Sequence, residues 1–132
     1  GLGTGLYSTA ASRRTYAALT EIADGLLRSG RNAIIDATFL RRSERLEFRQ
    51  VAAANAARFA ILYCAASPAE LRRRVRARAR SGHDASEAGL AVLEHQLSAA
   101  EPLDRAERRH AVTVDTERGI RYAELAARLR TA

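Results

Sequence analysis

Hydrophobic residues recur along the chain at helical spacing in several places. Between residues 9 and 29, an apolar face at positions i, i+3, i+4 and i+7 is formed by Leu19, Ile22, Ala23 and Leu26. This spacing predicts an amphipathic helix that ends at Gly30, because glycine readily terminates a helix. Comparable patterns predict four more helices, over residues 42–56, 68–81, 85–100 and 120–130. The first of these has Phe48, Val51 and Ala52 as its inner face, and the next begins with Ser67 as N-cap and Pro68 at its first position. The helix over 85–100 has a cap at Asp84 and an apolar face of Leu90, Leu93 and Leu97.

Three short apolar runs predict strands, and they alternate with the helices. They are residues 32–36, 58–64 and 111–115. Alternating strands and helices indicate an α/β layer with a parallel sheet, in which ligands bind beyond the carboxyl ends of the strands. Asp36 ends the first strand, and Asp115 with Thr116 ends the third. Each carboxylate could hold Mg²⁺ or accept a proton, and each could equally cap the loop that follows.

One predicted helix carries nearly all of the excess charge. The chain has 22 Arg and no Lys against 15 acidic residues, so its net charge is +7. Six Arg lie within residues 72–80, which leaves 16 Arg against 15 acidic residues elsewhere. An apolar stripe on this helix consists of Leu71, Val75 and Ala79. Because guanidinium groups suit phosphate oxygens, the helix is either an anion-binding element or a solvated face.

The composition excludes several classes of protein. A chain of 132 residues accommodates one domain, and a hydrophobic content of 47% excludes disorder. The single cysteine, Cys64, excludes a disulfide framework, and the three histidines are not spaced as zinc ligands. No apolar run reaches the length of a membrane span, and no signal peptide opens the chain. We therefore expect a cytoplasmic protein with no membrane partner.

The order of these features resembles a family of P-loop small-molecule kinases related to zeta toxins and polynucleotide kinases. Some of these kinases are fused to an aminoglycoside-phosphotransferase-like domain. The resemblance covers almost the whole chain, and the matching features are the run from Ile34 to Arg45, the Arg-rich helix and the strand end Val114-Asp115-Thr116. It implies a partial three-layer P-loop NTPase-type fold, with a short, mostly parallel sheet flanked by helices.

One part of the family pattern is missing from the sequence. Without Lys the chain has no Gly-x-x-x-x-Gly-Lys-Ser/Thr phosphate loop, and no strand precedes the glycines at its start. The resemblance thus implies a single incomplete kinase-like domain over residues 1–132, with the first strand and the phosphate loop absent. By family topology that strand lies between the 32–36 and 58–64 strands. We expect these two strands to pair directly, a second chain to fill the gap, or the missing residues to lie outside this sequence.

The resemblance assigns Asp36 and Arg45 to the catalytic site. Asp36 would lie beside the phosphates of ATP and hold Mg²⁺, and the residues after it would line the side of the acceptor. Arg45 would bind or orient an anionic part of the acceptor or the transferred phosphoryl group. ATP and Mg²⁺ are the cofactors that this assignment implies.

The resemblance also makes residues 67–100 a lid that closes over ATP. Arg74 and Arg78 match the spaced lid arginines of the family. They would place positive charge on the transferred phosphoryl group when the lid closes, as phosphoryl transfer requires. Asp115 and Thr116 would lie near the adenine base.

Three hypotheses for function follow. In the first, the chain is the C-terminal part of an ATP-dependent kinase that phosphorylates a small hydroxylated metabolite, a nucleotide-sugar or a nucleic-acid end. Alone it would be inactive, because the phosphate loop is the main cradle of the β and γ phosphates. In the second, the Arg-rich helix makes the chain a non-enzymatic anion or nucleic-acid binder, although none of its seven aromatic residues lies between residues 64 and 121. In the third, it is an assembly remnant that forms a homo-oligomer through the open sheet.

Overall fold

The computed structural model describes residues 9–81 and 86–132, and this part of the chain is α/β. Its helices are α1 (Thr9–Arg28), α2 (Arg42–Ala54), α3 (Pro68–Arg80), α4 (Ser86–Ala99), α5 (Arg105–Arg108) and α6 (Tyr122–Thr131). Its strands are β1 (Ile61–Ala65) and β2 (Ala111–Asp115). The chain divides into two compact units, Gly1–Phe59 and Ala60–Ala132. No helix of the described residues is long and apolar enough to cross a membrane.

The first unit is built on α1 and α2, which pack around a small aromatic cluster. Tyr16, Ala23 and Phe48 are buried at its centre, and Val51 and Phe39 pack against them. The rings of Phe39 and Phe48 meet edge to face with centroids 5.2 Å apart, a favourable arrangement for aromatic pairs. The predicted inner face of α2 is therefore confirmed.

The end of α1 agrees with the sequence prediction at Gly30. This glycine has a φ of 76°, a left-handed conformation that costs glycine little because it has no Cβ. The N–H of Gly30 donates to the carbonyl of Leu27 at 3.0 Å, and that of Arg31 donates to the carbonyl of Leu26 at 3.0 Å. These two bonds satisfy carbonyls that the helix end would otherwise leave unpaired.

The predicted strand at residues 32–36 is wrong. The segment is extended, but no hydrogen bond joins the backbone of residues 32–37 to any other described residue. Ala33 and Ile35 are half-buried against the aromatic cluster, whereas Ile34 is 97% exposed. Because one side of the segment faces solvent, water can replace the strand partner that a buried backbone would require.

The second unit contains the parallel sheet, which confirms the predicted fold class. β1 and β2 pair in parallel, with Ile61 opposite Ala111 and Ala65 opposite Asp115. Among the described residues the sheet has these two strands. Val112 is buried in β2, whereas Cys64 in β1 is exposed.

The helices of the second unit also follow the sequence pattern. The apolar stripe of α3 packs on α4, where a Cβ at Gly89 would stand 3.1 Å from Cγ1 of Val75. Leu93 of α4 is buried, as predicted from its helical face. The predicted cap of this helix at Asp84 lies outside the described residues. The single-turn helix α5 was not predicted; it is held by reciprocal hydrogen bonds of 2.8 Å between Asp104 and Glu107.

Candidate functional site

The carboxyl ends of β1 and β2 lie side by side, and the loops that follow them are joined. The N–H of Thr116 donates to the carbonyl of Ala65 at 2.8 Å. The N–H of Ser67 donates to the Glu117 carboxylate. The segments after the two strands thus form one polar surface with the first turns of α3. We call it the carboxyl-edge cluster, formed by Ser67, Glu70, Arg74, Asp115, Thr116 and Glu117.

Arg74 is the centre of this cluster. Its Nε donates to Oε1 of Glu70 at 2.7 Å. Its two terminal nitrogens donate to Thr116, one to Oγ1 at 2.9 Å and one to the backbone carbonyl at 2.8 Å. The planar guanidinium fork therefore ties α3 to the residue that follows β2. Two of the predicted nucleotide-binding residues, Arg74 and Thr116, are in direct contact.

Thr116 and Asp115 are fixed in different ways. The Thr116 hydroxyl donates to the carbonyl of Ala65 at 3.0 Å while it accepts from Arg74. The exposed Asp115 accepts the N–H of Glu117 at 3.0 Å and lies 3.4 Å from the Arg118 guanidinium. Asp115 therefore caps its own loop and still presents a carboxylate to solvent. Asp115 can therefore cap the loop that follows β2 and still bind a ligand with its carboxylate.

Two carboxylates of the cluster have depressed pKa values. Hydrogen bonds from Arg73 and Arg74 lower the pKa of Glu70 from 4.5 to about 2. Hydrogen bonds from Ser67 lower the pKa of Glu117. Both groups are therefore negative at neutral pH, and Glu70 offsets part of the positive charge of α3 at its N-terminal end.

The six arginines of α3 fall into two sets. The first three are paired: Arg72 forms two hydrogen bonds with Glu94, of 2.6 and 3.0 Å, and both Arg73 and Arg74 bind Glu70. The second set is exposed and has no acidic partner among the residues that the structure describes; it consists of Arg76, Arg78 and Arg80. Among the described residues, the unbalanced charge of the helix is therefore concentrated in its C-terminal half, where Arg78 is located.

The remaining predicted site residues, Asp36 and Arg45, lie in the first unit. Asp36 is exposed in the extended segment before α2. Arg45 is only 6% exposed, and its NH1 group donates to the carbonyl of Phe39 at 2.9 Å. The structure thus places Arg45 inside the unit, with its guanidinium bound to the backbone of Phe39 and not exposed to a ligand.

No group of three or more His, Cys, Asp or Glu side chains forms a metal site within residues 9–81 and 86–132. Nucleotide enzymes bind Mg²⁺ through one or two carboxylates that share the ion with phosphates and water, and binding of this kind needs no such group. The exposed carboxylate of Asp36 is a suitable ligand of this kind. The exposed guanidinium of Arg78 is a suitable partner for a phosphate group.

A sequence model of one protein family, described as an AAA domain, matches residues 2–103. The chain belongs to this AAA domain family. The AAA domain family is a P-loop NTPase-like kinase family, so the predicted P-loop kinase type is confirmed at this level. The narrower kinship with zeta toxins and polynucleotide kinases stays a prediction. No curated protein and no solved structure matches the chain.

The match to the AAA domain family includes Asp36, Arg45, Arg74 and Arg78 and ends before Asp115. AAA-type P-loop domains generally bind a nucleotide and Mg²⁺. Membership therefore indicates a nucleotide-binding, kinase-like function for the chain.

Sequence reasoning missed three residues that bind candidate site residues or their neighbours within their own unit. Glu70 precedes Arg73 and Arg74 by three and four residues, a spacing that favours ion pairs on a helix and could have revealed it. Glu117 accepts from Ser67, 50 residues before it in the sequence, and Tyr16 accepts from Phe39, 23 residues after it. No local pattern indicates contacts over such separations.

Proposed function

We propose that this chain contributes to the active site of an ATP- and Mg²⁺-dependent P-loop kinase. Its acceptor would be a small hydroxylated metabolite, a nucleotide-sugar or a nucleic-acid end. Membership of the AAA domain family over more than three quarters of the chain carries this proposal. The carboxyl-edge cluster supports it, because ligands of open α/β sheets bind beyond the carboxyl ends of parallel strands.

The contacts and exposure of the described residues suggest which part of Mg·ATP each candidate residue would bind. Arg78 would contact the phosphates of ATP, since it is exposed and has no acidic partner among the described residues. Asp115 and Thr116 would form the part of the nucleotide site near the base, and Arg74, the second predicted lid arginine, binds Thr116. Asp36 would share Mg²⁺ with the phosphates. When bound, Mg·ATP supplies the phosphoryl group and the charge that neutralises its transfer.

The chain does not contain the phosphate loop that P-loop kinases need. Because it has no Lys, no Gly-x-x-x-x-Gly-Lys-Ser/Thr sequence is present. Backbone N–H groups and the Lys of that loop bind the β and γ phosphates. We therefore expect nucleotide affinity from this chain but phosphoryl transfer only in a polypeptide that also supplies the loop.

Isothermal titration calorimetry of the chain with Mg·ATP tests the proposal. We expect a submillimolar dissociation constant that rises about tenfold in Arg78→Ala, the cost of a charge-assisted contact. Arg128→Ala, which removes an exposed arginine from α6, is the matched control and should bind as the unaltered chain does. Absence of binding here and in a chain extended by a phosphate loop would refute the proposal.

One observation favours a second candidate function, that of an anion or nucleic-acid binder. Three exposed arginines without acidic partners among the described residues lie within five positions of α3, at Arg76, Arg78 and Arg80. If they bind a phosphate backbone, log K for an oligonucleotide should fall linearly with log salt, with a slope of roughly −0.7 to −0.9 per contact. Displacement of the oligonucleotide by Mg·ATP would indicate that these arginines belong to the nucleotide site of the proposed kinase. Binding that ATP does not displace would support this second function.

A further inference from the structure

Phe39, three residues after Asp36, has a backbone conformation that is rare for its residue type. Its φ is 45°, in the left-handed region where a side chain with a Cβ is disfavoured. Such strain persists only when the surrounding structure holds it in place, and it is concentrated at functional sites. The contacts that hold Phe39 are therefore informative about the loop that precedes it.

Two side chains from different helices bind both polar groups of the Phe39 backbone. Its N–H donates to the hydroxyl oxygen of Tyr16 in α1 at 3.0 Å. Its carbonyl accepts from NH1 of Arg45 in α2 at 2.9 Å. The ring is held as well, with its centroid 5.4 Å from that of Tyr16 and 5.2 Å from that of Phe48. The strained residue is thus fixed by its backbone and by its side chain.

The other end of the loop is anchored in the same core. Ile35 packs against the cluster of Tyr16 and Phe48, and the three residues between Ile35 and Phe39 are exposed. The Thr38 hydroxyl lies 3.4 Å from that of Tyr16, a further contact with the same side chain. Residues 36–38 therefore form a short exposed loop with both ends fixed, an arrangement that presents side chains in a set orientation.

We propose that Tyr16 and Arg45 are positioning residues that fix the loop of residues 36–38 and thereby the orientation of Asp36. The ligand assigned to Asp36 rests on the proposed function. The role of Tyr16 and Arg45 in fixing residues 36–38 does not depend on that function. It changes the role that the sequence suggested for Arg45, because the buried guanidinium acts on the acceptor side through the Phe39 carbonyl. Tyr16, which no motif indicated, acts with it.

Tyr16→Phe tests the assignment, since it removes one hydroxyl and leaves the ring in the core. Nuclear magnetic resonance would follow the φ of residue 39 through its HN–Hα coupling, together with the amide shifts of residues 36–38. We expect the left-handed conformer of Phe39 to lose population, and the Mg·ATP dissociation constant to rise about three- to tenfold, the range for one hydrogen bond. Tyr63→Phe, at an exposed tyrosine of β1, should change neither quantity.

A rescue experiment separates positioning from general support of the fold. Asn tolerates the left-handed conformation far better than Phe, so Phe39→Asn added to Tyr16→Phe should restore the φ of residue 39 and the loop shifts. A merely structural role for Tyr16 predicts the opposite, because the double variant loses still more packing. Arg45→Lys, which keeps a donor for the carbonyl, should retain more of the loop conformation than Arg45→Met.

The outcomes distinguish this inference from the proposed function. An unchanged φ and unchanged loop shifts in both Tyr16→Phe and Arg45→Met would overturn the positioning assignment, whatever the chain binds. Failure of the double variant to restore the loop would also overturn it. If neither the unaltered chain nor a chain extended by a phosphate loop binds Mg·ATP, while residues 36–38 respond as expected, the positioning assignment is supported and the proposed function fails.

Discussion

The contact between Arg74 and Thr116 leads to a quantitative prediction for Thr116→Val. The substitution keeps the shape of the side chain but removes a hydroxyl that accepts from Arg74 at 2.9 Å and donates to Ala65 at 3.0 Å. A charge-assisted bond contributes about 1.5–3 kcal/mol and a neutral one about 0.5–1.5 kcal/mol. Because the Arg74 side chain is 35% exposed, water replaces part of the lost contact, and the lower ends of both ranges apply. We therefore expect a loss of about 2 kcal/mol in local stability.

Hydrogen exchange of the β1 and β2 amides measures this loss where it occurs. A change of about 2 kcal/mol corresponds to roughly 30-fold faster exchange at the carboxyl end of the sheet. Thr113→Val is the matched control, since Thr113 is an exposed threonine of β2 and valine suits a strand. Equal protection in the two variants would refute the argument. It would mean that the two hydrogen bonds of the Thr116 hydroxyl contribute nothing to the carboxyl-edge cluster.

Three further substitutions test the core, the charge pairing and a helix cap. Phe48→Ala should lower the free energy of unfolding by about 3–5 kcal/mol in urea, because it empties the aromatic cluster, whereas Leu46→Ala at an exposed position should change it by under about 0.5 kcal/mol. Glu70→Gln should destabilise the chain at neutral pH. Because the folded pKa of Glu70 is depressed to about 2, the stability that its ion pairs contribute is complete above pH 4.5 and is lost as the pH falls towards 2. The urea midpoints of the unaltered chain and the variant should therefore converge near pH 2. A difference between the midpoints that does not change with pH would contradict the pairing of Glu70 with Arg73 and Arg74. Ser67→Ala should cost about 1 kcal/mol in urea by removing the N-cap of α3, and Ser98→Ala, at a serine that caps no helix start, should not; equal effects would argue against the cap.

Local patterns predicted most of the helices and the cap of α3. Leu93 and Phe48 are buried where the helical spacing put them, and Ser67 caps α3 as its side chain and the following Pro68 predict. Ile22 departs from the pattern, with 60% of its surface exposed. Helical spacing identifies the apolar face of a helix. It does not define which other element packs against that face, and the packing element decides how much of the face is buried.

Strand prediction failed at residues 32–36 for a related reason. A helix satisfies its own backbone, whereas a strand requires a hydrogen-bonding neighbour, and the pattern of one segment does not supply it. For β1 and β2 the neighbour is present, and the prediction is confirmed. At the candidate site, sequence indicated Arg74 and Thr116 as members but not the bonds between them, because 42 residues separate the two.

The segment around Ile34 also determines how the chain meets proteolytic enzymes. Endoproteases bind their substrates as extended strands through backbone hydrogen bonds, and residues 32–37 offer an extended backbone without partners among the described residues. A protease that cuts beside aliphatic residues would find Ile34 accessible without any prior unfolding. One cut there would leave Tyr16 and Phe48 on separate polypeptides, joined by the aromatic cluster and by hydrogen bonds such as that from Asn55 to Asp24. The resistance of the first unit to digestion is therefore set by this segment rather than by its global stability.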